Sequence, residues 1–167
     1  MRKVNNKSGF MLVESMGSLI IYLIMIGACG WLISSVMENS DLSNTEQALN
    51  TLRMNVKQVY TSASDYSGLT TQTAREAGII PADMIKSNGV RNVWNGDVTV
   101  VAGADPNTFI ITFALVPEDM CVKLATYQLG SWSDVQVNGV SVNQDTGTIA
   151  AIIAQQTTSN SLAFTSN

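Results

Sequence analysis

Histidine is absent from the 167 residues, and only two cysteines and three prolines occur. Without histidine, Ser-His-Asp and Cys-His nucleophilic catalysis and every histidine-ligated metal site are excluded. Charge is also scarce, at 13% of residues, nine basic against thirteen acidic. Its placement says more than its sum. Arg2, Lys3 and Lys7 are the only charges before Glu14, whereas from Glu38 onward there are six basic and twelve acidic residues, a net of −6. A basic tip on an acidic remainder does not suit a nucleic acid, which needs a basic face on the globular part. Asp97, Asp105, Asp119, Asp134 and Asp145 are scattered without a ligand spacing and read as a solvated acidic surface, so no structural metal is expected. No cofactor and no enzymatic activity are expected either.

What the chain does have is a run from Met16 to Met37 without a charged residue, almost wholly aliphatic from Leu19 to Ile26. About 20 helical residues at ~1.5 Å each span about 30 Å, the thickness of a bilayer core. Lysine and arginine precede the run and Glu38 and Asp41 follow it, which sets the N-terminus in the cytoplasm and the acidic remainder outside. Cys29 lies inside the run and Cys121 far beyond it, so a membrane helix would hold the two beyond disulfide reach and leave one thiol in the globular part. The run can be read as an ordinary anchor helix or as a cleaved secretory signal. Ile26-Gly27-Ala28-Cys29 also resembles a lipoprotein processing box with Cys29 lipidated, although the apolar sequence continues through Trp31-Leu32-Ile33 to Val36.

A further reading rests on Lys7-Ser8-Gly9-Phe10-Met11-Leu12-Val13-Glu14. A short basic leader ends in glycine, phenylalanine follows, and one glutamate interrupts the hydrophobic stretch four residues on. This segment resembles the type IV pilin family. The resemblance implies that a prepilin peptidase cuts between Gly9 and Phe10 and methylates the new N-terminus. Arg2, Lys3 and Lys7 are then the leader charges. A carboxylate near a bilayer interior is costly and marks a function or a partner. The amine freed at Phe10 lies on the same side of a helix as Glu14. The resemblance implies an intermolecular pair, the Phe10 amine of an incoming subunit meeting Glu14 of one already in the fibre. Such a pair sets register more than bulk stability, because desolvation offsets much of the Coulomb gain.

Beyond Met37, Leu42, Leu49, Leu52, Val56, Val59 and Ala63 recur at helical steps, with Glu46, Asn50, Arg53 and Lys57 between them. No proline interrupts residues 10 to 65, so one long helix is expected, with Gly27 to Gly30 its weak point. After Tyr66-Ser67-Gly68 the elements shorten. Thr71 to Ala77 reads as a helix stopped by Gly78, and Pro81 opens a short turn through Lys86. Asn95-Gly96 predicts a two-residue hairpin between Val93-Trp94 and Val98 to Val101. Thr108 to Leu115 predicts an interior strand. Pro117-Glu118-Asp119 opens a helix running to Gly130. Val135 to Val137 and Val140 to Val142 flank a second Asn-Gly turn, and Leu162 to Thr165 reads as a last strand. Thr157 to Asn167 reads as an exposed edge, and Trp94 and Trp132 as core residues.

The expected class is α+β, a long N-terminal helix packed on a mainly antiparallel sheet. The expected organisation is a leader over 1–9, a membrane and polymerisation half-helix over 10–37, an amphipathic half over 38–65, and a globular head over 66–167. Trp94-Asn95-Gly96, the run from Phe109 to Pro117, and Cys121-Val122-Lys123-Leu124-Ala125-Thr126 are similar to type IVb pilins, especially the major subunit of thin pili encoded on conjugative plasmids. That resemblance implies an extracellular pilus serving mating contact or adhesion. It also implies a precursor in the bacterial inner membrane. The implied partners are the prepilin peptidase, an inner-membrane assembly platform, membrane lipid and other pilin subunits. A minor pilin, a type II secretion pseudopilin and an anchored lipoprotein stay open as alternatives. The family's disulfide from the Cys121 position to a cysteine near the end of the chain has no counterpart, since that neighbourhood reads Ile152-Ile153-Ala154-Gln155. The leader of nine residues ending before phenylalanine is also more like type IVa.

Overall fold

A computed structural model of the chain describes residues 40–142 and 148–167. The chain divides into Met1–Ser40 and Asp41–Asn167, and the second unit is the one described. The leader, the apolar run and Glu14 lie outside the described residues. Among those described, no helix is long and apolar enough to cross a membrane.

The first helix, α1, is helical over residues 40–59 and closes in a 3-10 turn at Tyr60–Ser62. Its buried face follows the spacing at Leu49, Leu52 and Val56, fully buried in the core, whereas Val59 and Ala63, expected on the same stripe, are exposed because the helix gives way to the 3-10 turn there. After Tyr66, Leu69 leads into α2 (Thr71–Glu76), opened by a reciprocal cap between Thr70 and Thr73 and followed by Gly78 at φ +70°. The expected turn after Pro81 is a 3-10 turn at Ala82–Met84, which runs on into a small hairpin of β1 (Ile85–Lys86) and β2 (Gly89–Val90).

Five strands form the main sheet: β3 (Val98–Ala102), β4 (Phe109–Pro117), β5 (Asp134–Val137), β6 (Val140–Ser141) and β7 (Ser159–Ser166). Their order is β3-β4-β7-β5-β6, and every pairing among them is antiparallel. β4 is interior, as its apolar composition predicts. Asn138 and Gly139 carry the β5–β6 turn at φ 52° and 85°, the left-handed pair that an Asn-Gly dipeptide supplies at least strain. Between strands lie α3 (Glu118–Thr126) and α4 (Thr148–Gln155), which pack on each other.

Three expectations change. Val93 and Trp94 are not a strand, because Asn92 Oδ1 accepts from Trp94 N at 3.1 Å and Gly96 N at 2.7 Å and winds them into a turn. Strand-like pairing there is confined to Arg91 opposite Asp97. The third helix stops before Gly130, since Gln128 takes φ +47°. The segment at Ile152 is the helix α4 with Ile152 fully buried. The segment Thr157–Asn167 is no exposed edge, for β7 lies between β4 and β5 with Leu162, Phe164 and Ser166 fully buried. Trp132 is buried, and Trp94 is partly buried against the core, both as expected.

A polar clasp lies where β7 begins. Asn160, 1% exposed, donates to Thr157 O at 2.7 Å and Val116 O at 3.2 Å. Its Oδ1 accepts from Thr157 N at 2.6 Å and from Asn138 Nδ2 at 3.0 Å. The exit of α4, the end of β4 and the β5–β6 turn thus share one amide. Cys121, on α3, is a free buried thiol. The sheet's two edges are short or covered. β6 has two residues, and along β3 the Thr71 hydroxyl accepts from Val100 N at 3.1 Å while Leu69 O accepts from Ala102 N at 3.0 Å.

Asn160→Ala strips four hydrogen bonds from a buried amide and is expected to cost about 2 to 4 kcal/mol in equilibrium denaturation, whereas Asn107→Ala in an exposed loop stays within about 0.5 kcal/mol. Burial, aided by the Glu118 carboxylate, pushes the Cys121 thiol from 9.0 up to about 11. The unfolded thiol ionises first, so its contribution is whole below pH 9 and is lost as pH rises toward 11. Cys121→Ala is expected to flatten the alkaline fall in denaturation midpoint over that window, by an amount on the order of 2 kcal/mol.

Candidate assembly surface

The residues singled out for processing and assembly, Gly9, Phe10 and Glu14 with the leader charges Arg2, Lys3 and Lys7, all lie outside the described residues. The surface that can be built from the residues upward is the outward side of α1. A helix facing water ordinarily carries its charges opposite the core. Here the exposed positions are Ser43, Asn44, Gln47, Thr51, Met54 and Gln58, with Ser40 and Val59 at the ends, and not one is charged. Met54, the most exposed large apolar residue among those described, is 69% accessible. The four charged residues, Asp41, Glu46, Arg53 and Lys57, are all partly covered. Partial burial raises the Glu46 pKa and lowers those of Arg53 and Lys57, the last with help from the Arg53 charge.

Each flank of α1 is tied down. On one side, Asn50 Nδ2 donates to Tyr127 Oη at 2.6 Å. Arg53 bends toward the same side, donating from Nε to Ser166 Oγ at 3.0 Å and from Nη2 to Ser131 O. Its guanidinium sits 4.5 Å above the Trp132 ring, which in turn packs at a tilt of 53° against Phe164, 5.2 Å between centroids. On the other side, Asn55 Nδ2 donates to Ile79 O at 2.8 Å. Arg53 therefore leans sideways onto the head, the other three charges are partly covered, and a polar but uncharged stripe is left outward. Steps of 44, 47, 51, 54 and 58 in the sequence carry this signal, although nothing local says that Arg53 reaches back.

Beside the helix, Asn44, Ala48, Met84, Lys86, Arg91, Val93 and Phe113 line a cleft of about 330 Å³. Arg91 pairs with Asp97 at 3.0 Å there. A shallower depression lies between Glu118, Asp119, Val122, Ile153 and Gln156. Among the described residues no group of acidic or thiol side chains could hold a metal ion.

The family described as PilS N terminal matches residues 39–167. No curated protein matches the chain by sequence. Among solved structures, the chain is similar to TcpA, a type IV pilin from Vibrio cholerae El Tor biotype, seen in its crystal structure. The TM-score is 0.59 at 16% identity, covering 77% of this chain and 99% of that one, a likeness of fold.

Arg53→Ala removes two hydrogen bonds and a cation–π contact, and is expected to lower stability by about 1 to 3 kcal/mol in denaturant titration. Arg53→Lys is expected to recover less than half of that, since an ammonium cannot make both bonds and stack at once.

Proposed function

The chain belongs to the PilS family of type IV pilins, and from that premise we propose that it is the structural subunit of an extracellular type IV pilus, polymerised through its N-terminal helix. The observation that carries this reading is the uncharged outward stripe of α1. A stripe of Asn, Gln, Thr and Met tolerates water while the subunit is free and burial against other helices once it is assembled. Burying charged residues there would instead need partners for each.

Assembly on this reading begins with cleavage after Gly9 by a prepilin peptidase. The basic leader, Arg2, Lys3 and Lys7, holds the uncut end in the cytoplasm, and the run from Met16 to Met37 holds the precursor in the inner membrane. Cleavage creates the Phe10 amine, which pairs with Glu14 of a neighbouring subunit and sets the axial register of the fibre. Processing is thus a switch, because the pairing cation does not exist beforehand. An inner-membrane platform is the partner that adds subunits, and the polymer is built of copies of this chain. The use we assign to the pilus is mating contact in conjugation or adhesion. No catalysis belongs to this reading. A minor pilin or a type II secretion pseudopilin would use the same helix in a shorter assembly, and filament length separates them.

Protein sheared from cells that carry the peptidase is expected to begin at Phe10, one methyl group heavier, by intact mass and N-terminal sequencing. A chain beginning at Met1 and confined to the membrane, or at a lipidated Cys29, would sink the proposal. Glu14→Ala is expected to leave cleavage intact and to reduce sheared filaments at least about tenfold, the effect of losing one buried charge partner.

A further inference from the structure

The dipeptide Asn-Gly occurs at three turns: Asn88-Gly89 between β1 and β2, Asn95-Gly96 ahead of β3, and Asn138-Gly139 between β5 and β6. Such a pair carries a latent reaction. The glycine nitrogen can attack the asparagine side-chain carbonyl, because the glycine has no Cβ to obstruct the approach. The attack needs a carboxamide free to turn and a glycine nitrogen free to leave its place. All three asparagines are exposed, so contact with water does not choose among them. Their bonding does. At Asn138 the carboxamide is held, since Nδ2 donates to Gln155 O at 2.7 Å and to Asn160 Oδ1 at 3.0 Å, while Oδ1 accepts from Ser161 N at 2.8 Å. At Asn95 the nucleophile is held. Gly96 N donates to Asn92 Oδ1 at 2.7 Å, and a Cβ on the buried Gly96 would lie 1.9 Å from Ala114 O. Asn92 N to Gly96 O at 2.9 Å and the Arg91–Asp97 ion pair close the same turn.

Asn88 has neither restraint. Its side chain makes no hydrogen bond among the described residues, and a Cβ on Gly89 would meet nothing within 4 Å. The β1–β2 hairpin is paired only at Ile85 opposite Val90 and Lys86 opposite Gly89, and so short a pairing opens locally at small cost. We propose that Asn88 is a site of spontaneous deamidation, and that the fold withholds the same reaction from Asn95 and Asn138. The Gly89 nitrogen, losing its proton, bonds to Asn88 Cγ. The Cγ–Nδ2 bond breaks and the nitrogen leaves as ammonia. Water then opens the five-membered succinimide at either carbonyl, giving aspartate or isoaspartate. The balance is one water taken up for one ammonia released, with no oxidant or cofactor. A neutral amide becomes a carboxylate two residues from Lys86, making the chain one unit more negative than its present −4. The isoaspartate form also lengthens the backbone of the turn, loosening the pairing of Lys86 with Gly89 and the 3.4 Å bond from Arg91 Nη2 to Asn88 O. The reaction needs only water and time, so it marks the age of each chain and rests on no reading of how subunits assemble.

The test uses the full chain, taken from the membrane in detergent and incubated at mildly alkaline pH in water labelled with heavy oxygen. Peptide mass spectrometry then follows the three turns. The Asn88 peptide is expected to take up one labelled oxygen, and to split into aspartate and isoaspartate forms, at least about tenfold faster than the Asn95 and Asn138 peptides, as their restraints set the cost of opening. In denaturant the three are expected to react at similar rates, which places the difference in the fold. On isoelectric focusing the folded chain is expected to gain one acidic step with time, and Asn88→Ser, a change on an exposed turn, is expected to abolish it. An Asn88 peptide that stays unlabelled in the folded chain would overturn the proposal. So would labelling of Asn95 or Asn138 as fast as Asn88, or an acidic step that persists in Asn88→Ser.

Discussion

The head depends on the placing of its last strand. β7 pairs with β4 along one side, from Phe109 opposite Ser166 to Pro117 opposite Ser159, and with β5 along the other, from Asp134 opposite Thr165 to Val137 opposite Leu162. Before it arrives, β3–β4 and β5–β6 are two separate hairpins, and an isolated hairpin is marginal in water. The core is equally incomplete, because Leu162 and Phe164 are among its fully buried residues and Phe164 supports the Trp132 ring beneath Arg53. One of the ties between α1 and the head also runs through β7, by way of Ser166. β7 thus closes contacts with strands that precede it in the chain by tens of residues. Such non-local closure slows folding relative to a helical bundle of the same size.

On that platform, α1 meets two demands that ordinarily conflict. Its inner face must be apolar to close the core, and its outer face must be soluble yet fit for contact with other helices. Long side chains reconcile them. Arg53 carries its charge at the end of a flexible stem that reaches back to the head, as amphipathic side chains do, and Lys57 is partly covered. Arg53 gains two hydrogen bonds and an aromatic face in exchange for part of its hydration. The outward stripe is left to neutral amides, hydroxyls and Met54.

Much of this was readable from residue pattern, and the rest fails for identifiable reasons. The buried face of α1 was legible because Leu49, Leu52 and Val56 keep helical spacing, and the turns were legible at Asn138-Gly139 and Gly78 because those backbone conformations favour those residues. The position of β7 was not. An interior strand is expected to be apolar, and Ser159-Asn160-Ser161 looks like surface until the hydrogen bonds that satisfy Asn160 are seen. The helix α4 was hidden because Ile149, Ile152 and Ile153 with three alanines supply no polar face against which to read a period. Val93 and Trp94 were drawn out of a strand by Asn92, whose side-chain bonds compete with ladder pairing. Of the candidate site, the cleavage motif and Glu14 were legible only through resemblance to a family. The uncharged stripe was present in the spacing, but its meaning needed the direction in which Arg53 turns.

The covered edges of the sheet have a consequence for how such a subunit tolerates crowding. Thr71 and Leu69 occupy outward backbone groups of β3, and β6 offers only Val140 and Ser141 at the opposite end. A stranger's strand finds no long free ladder to extend, so the cross-β route to aggregation is closed at both ends of the sheet. Subunits can therefore be kept at high local density without seeding amyloid.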